Sequence, residues 1–109
     1  MRAFAAMGAW LCAIAVALAA YATHAAAGLP QMRLQTAALF AFAHGLALVV
    51  LVPRANTRGS RIGIAMLLAG VLLFSGSLAA EALSGLRPRL APFGGMLLIA
   101  GWLLLGATM

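Results

Sequence analysis

Eight charged residues divide this chain into long uncharged runs at residues 3–32, 34–53, 62–80 and 90–109. A helix needs about 20 apolar residues, at about 1.5 Å of rise each, to cross the hydrocarbon core of a bilayer. Every run reaches that length, and four such spans leave only short loops in a chain of 109 residues. No room remains for a soluble domain. Composition agrees: 66% of the residues are hydrophobic and 7% charged, against roughly 25% charged in a soluble domain.

Residues 64–74 and 96–105 are apolar on every face, whereas membrane-barrel strands alternate between apolar and polar. An unpaired peptide group in hydrocarbon costs several kcal/mol, so such segments close their hydrogen bonds internally as helices. The expected fold is all-α, an integral-membrane antiparallel four-helix bundle. It forms a single transmembrane domain over residues 1–109, with spans at about 3–23, 34–52, 62–83 and 92–108. Gly28 and Pro30 are the breakers after span one, Pro53 stops span two, and Pro88 and Pro92 stand where proline is tolerated, before or at the first turn of a helix. The N-terminus imitates a secretory signal, with Ala20-Tyr21-Ala22 as a small-x-small site. Its apolar stretch exceeds the roughly 7 to 15 residues of a signal core, so the first span is expected to be retained.

Lipid tails are as apolar as leucine, and membrane helices therefore associate where small residues let backbones approach. Gly63, Gly70, Ser77 and Ser84 recur every seven residues in span three, and Gly94, Gly101 and Thr108 do so in span four. Gly63, Gly70, Gly94 and Gly101 are the helix-packing candidates. Span one offers Gly8, Ala9, Ala13, Ala17 and Ala20 as a small-residue surface.

The net charge of +6 comes from seven arginines without a lysine. At the ends of apolar runs these anchor helices in headgroups and do not form a nucleic-acid surface. Arg2, Arg54, Arg58 and Arg61 fall on one side, and Arg33, Arg87 and Arg89 on the other. The excess of one arginine puts both termini in the cytoplasm. Cys12 is the only cysteine, which excludes an intramolecular disulfide.

Ionisable groups within a membrane are functional candidates by default. Glu81, the only acid, is expected near a membrane interface with Arg33, His24 or Arg87 as its partner. His44 lies deeper, about 13 Å below that face, at the depth of Ser75 and Ser77. It is expected to bond one of these serines and pin span two to span three, with a proton relay or metal ligation as the sharper alternative. Metal is disfavoured because a site needs several ligands. Haem between His24 and His44 would require both rings at one depth.

Several segments resemble a known family. Phe74-Ser75-Gly76-Ser77-Leu78 after Gly70 is similar to the Leu-Phe-Ser-Gly-Ser-Leu core of the small bacterial inner-membrane proteins grouped as domain of unknown function 423. Pro92-Phe93-Gly94-Gly95, with Ile99 and Gly101-Trp102, resembles the family's fourth-span segment. Gln35-Thr36-Ala37, His44-Gly45-Leu46-Ala47-Leu48 and Ala22-Thr23-His24 resemble its earlier ones. Phe40 stands where the family commonly has tyrosine, and Ala79 where an aromatic is usual. The resemblance implies a four-span protein of the inner membrane and no activity.

There is no aspartate, no carboxylate pair for acid–base work and no glycine-rich phosphate loop between a strand and a helix. No catalytic residue, metal site or cofactor is expected, and the chain is expected not to be an enzyme. Its expected partners are the lipid bilayer and either further copies of itself or a larger membrane complex; nucleic acid is not among them. The preferred reading is a non-catalytic accessory or assembly protein. The alternative is a small transporter, or a proton- or cation-conducting protein using His44 and Glu81. Four-span multidrug exporters depend on a glutamate in span one, and span one here has no acid.

Overall fold

A computed structural model describes residues 1–85 and 89–109. Among them are four helices, α1 (Arg2–Ala25), α2 (Gly28–Leu51), α3 (Arg58–Ser84) and α4 (Ala91–Thr108), with a 3₁₀ turn, Val52–Arg54, closing α2. All four are long and apolar enough to cross a membrane, and the all-α antiparallel arrangement is the one expected.

Local chemistry explains the ends. Proline has no N–H, and Pro53 falls in the 3₁₀ turn where α2 stops. Thr57 caps α3 in a capping box: its hydroxyl accepts from the Ser60 amide, and the Ser60 hydroxyl accepts from the Thr57 amide, both at 3.1 Å. Gly85 ends α3 in the left-handed conformation, φ 74°, and its N–H donates to the Glu81 carbonyl.

Span two departs from expectation at its start. Its helix begins at Gly28, six residues before Leu34, so Pro30 does not delay it. Pro30 occupies the first turn, where the missing N–H would have had no partner in any case. The reversal is made by Ala26 and Ala27, both extended, and completed by Gly28 at φ 64°.

Neighbours in sequence are neighbours in space. The hairpins α1–α2 and α3–α4 meet along α2 and α3, leaving α1 and α4 on the outside; α1 touches α3 only slightly. Within the molecule 44% of the α3 span and 39% of the α2 span are buried, against 22% for α4 and 11% for α1. The bundle is thus open between α1 and α4.

Candidate functional site

Small residues decide how closely the helices approach. A Cβ added at Gly94 would lie 2.5 Å from the Phe74 amide nitrogen and 2.8 Å from the Gly70 carbonyl oxygen. One added at Gly63 or Gly70 would lie 2.9 Å from Leu105 or Leu98, and one at Gly101 would lie 3.2 Å from the Gly63 carbonyl. The four glycines singled out by spacing therefore line the α3–α4 contact. On α1 the buried residues are Gly8, Ala15 and Ala22, again seven apart. The surface expected from Ala9, Ala13, Ala17 and Ala20 faces outward instead, all four being exposed. The heptad that organises α3 and α4 was present in α1 and was the usable signal. Its glycine meets Gly45 of α2, since a Cβ at Gly8 would lie 2.5 Å from the Gly45 carbonyl oxygen.

These approaches frame a polar and aromatic cluster in the α2–α3–α4 interior. His44 is 8% exposed. Its Nδ1 lies 2.8 Å from the Phe40 carbonyl oxygen, and the Trp102 indole Nε1–H donates to its Nε2 at 3.1 Å. A carbonyl only accepts and an indole N–H only donates. The two bonds therefore assign a neutral ring with its proton on Nδ1 and a lone pair at Nε2. Phe40 stacks near His44, with centroids 5.7 Å apart and planes 11° apart, and packs against Phe74 at 4.5 Å. The side-chain knot so joins all three helices.

The expected bond from His44 to Ser75 or Ser77 is not formed. Ser75 donates to the Ala37 carbonyl across the α2–α3 contact at 2.9 Å, and Ser77 is buried without bonding His44. The expected depth match fails: α2 begins at Gly28 rather than Leu34. With Ser75 level with Ala37, the ring of His44 lies seven residues, about 10 Å, nearer the other membrane face, where it meets Trp102. Trp102 was the missed partner. An indole N–H inside an apolar span needs an acceptor, and His44 supplies one at mid-span.

At the opposite depth Arg33 pairs with Glu81, Nη1 to Oε1 at 3.1 Å, with side chains 28% and 20% exposed. Arg33, one of the candidate partners, thus pairs with Glu81. His24 is exposed at the end of α1, and Arg87 lies outside the described residues. The Ser75–Ala37 bond fixes the α2–α3 register: from that level His44 is seven residues toward one membrane face and Glu81 six toward the other. At about 1.5 Å per residue the two groups are separated by roughly 20 Å in depth. His24, near the start of α2, and His44, sixteen residues into that helix, are likewise far apart in depth.

A family model described as "Protein of unknown function (DUF423)" matches residues 18–95. The chain is also 41% identical over 66 residues to a UPF0382 membrane protein of Staphylococcus haemolyticus. That alignment covers 57% of this chain and 54% of the relative, so the match spans about half of the other protein's length. No solved structure matches the chain. The model match takes in His44, Ser75, Ser77, Arg33 and Glu81 and stops before Trp102.

Proposed function

The chain belongs to the DUF423 family of membrane proteins, a membership that carries no activity, and from that premise we propose a non-catalytic role through lateral helix association in the bacterial inner membrane. The protein would act as an accessory or assembly subunit, or as a homo-oligomer. The observation behind this reading is the uneven burial: α1 and α4 have 11% and 22% of their spans covered. On α1 the uncovered side carries Ala9, Ala13 and Ala17, four residues apart, the spacing at which membrane helices approach closely.

Conduction through His44 and Glu81 is the less supported alternative. Both ring nitrogens of His44 are engaged, Glu81 is bonded to Arg33, and the pair are far apart in depth. We place both termini in the cytoplasm, because Arg2, Arg54, Arg58 and Arg61 share their end of the bundle. A reporter fused after Met109 that is active only outside the cytoplasm would reverse this orientation.

Native mass measurement after extraction at natural expression levels tests the association. The expected result is a species heavier than one chain, reduced to one chain by Ala13→Leu with Ala17→Leu while the melting temperature is kept. A single chain from the outset, together with a proton flux in proteoliposomes abolished by His44→Gln, would replace this reading with conduction.

A further inference from the structure

The end of the bundle that gathers four arginines contains a cleft of about 570 Å³. Arg2 of α1 and Arg61 of α3 line it, together with Ala5, Val52, Pro53 and Ala55. Arg61 is oriented there, its Nε donating to the Ala55 carbonyl at 3.5 Å, which leaves the guanidinium Nη groups available. No acidic side chain neutralises this end. The only one in the chain, Glu81, is at the far end with Arg33.

Two guanidinium groups above an apolar wall, at the level where a membrane helix meets water, suit an amphiphile with a phosphodiester head. Arginine binds phosphate oxygens through a planar fork of donors. A basic pocket between membrane helices is a recurrent setting for anionic lipid heads. The apolar lining distinguishes a lipid from a free anion, because a soluble phosphate gains nothing from Ala5, Val52 and Pro53. The geometry points to a site for one anionic phospholipid, its phosphate between Arg2 and Arg61 and its glycerol and upper acyl chains against the α1 and Val52–Pro53 wall. This site stands apart from the association reading and uses none of its residues.

The test is equilibrium binding of labelled phosphatidylglycerol to the full chain in zwitterionic detergent. Saturable binding is expected, with no comparable binding of phosphatidylcholine. Removing a basic residue near a membrane surface weakens anionic-lipid attraction roughly fivefold, so Arg2→Gln with Arg61→Gln should weaken binding about 25-fold. Arg54→Gln with Arg58→Gln removes the same charge from the same end outside the cleft and should cost about twofold or less. Ala5→Leu keeps every charge and fills the cleft, and should weaken binding about as much as a single arginine loss. Equal losses from the two arginine pairs would reduce the site to diffuse surface attraction and overturn the proposal. Non-saturable binding would overturn it, as would wild-type binding by Ala5→Leu. Competition by inorganic phosphate as effective as that of unlabelled phosphatidylglycerol would assign the cleft to a soluble anion instead.

Discussion

In the α1–α2 hairpin one glycine pair, Gly8 and Gly45, brings backbones together, and at other levels alanines such as Ala15, Ala22, Ala38 and Ala41 are buried. In the α3–α4 hairpin the contact is carried by Gly63, Gly70, Gly94 and Gly101, at successive levels. The connections differ in the same direction. Two extended residues join α1 to α2, whereas residues 85–90 separate α3 from α4. A two-residue link restricts register by geometry, so modest side-chain specificity suffices. The second hairpin takes its register from glycine contacts at several levels. It also has a tether that α1 lacks: Trp102 reaches past α3 to His44.

The sharpest attempt to break this contrast is Gly94→Leu. The atoms in the way are the Phe74 amide and the Gly70 carbonyl, both backbone, and neither can move aside as a side chain would. Overpacking a core typically costs ~1 to 3 kcal/mol, occasionally more, and the expected loss here is about 3 kcal/mol or above, read from thermal unfolding in detergent. Wild-type resistance would remove glycine from the account of the second hairpin.

Gly8→Leu should follow closely, near ~3 kcal/mol by the same overpacking argument, with a local signature. Cys12 Sγ lies 3.6 Å from the Phe42 carbonyl oxygen and would be 3.0 Å from a Cβ at Gly45, so it reports the α1–α2 contact. Faster thiol labelling of Cys12 should accompany the lost stability. Unchanged labelling would mean that the hairpin is held elsewhere.

A smaller effect sharpens the role of the tether. A double-mutant cycle of His44→Gln and Trp102→Phe should give a coupling of about 0.6 to 1.7 kcal/mol, the range for hydrogen bonds between membrane helices. A coupling of zero would leave α4 held by its α3 contacts, the glycine approaches and the Thr57–Thr108 bond. Smallest of all is Arg33→Gln. The Arg33–Glu81 pair is partly exposed and screened, so a loss of at most about 1 kcal/mol is expected, shrinking as salt is added. A salt-independent loss well above that would make the pair a buried determinant of the α2–α3 contact.

How much was legible in the chain depends on the coordinate asked about. The distribution of charge was sufficient for four antiparallel membrane helices, because hydrocarbon tolerates no unpaired backbone and no uncompensated charge. Sevenfold spacing marked the glycines of α3 and α4, since that period keeps one stripe along a helix. A constant rise per residue gives depth only once the helix start is known, and the depth expected of His44 failed because α2 begins at Gly28 rather than Leu34. Azimuth was another matter. Whether α1 presents Ala15 or Ala13 to its neighbour depends on the rotation of each helix about its axis, and that His44 meets Trp102 rather than Ser75 depends also on the register between helices. Every side of these helices is apolar, so hydropathy supplies no preferred face. Rotation is settled only when glycines and alanines from two chains of backbone find the closest approach, and the tertiary structure alone decides it.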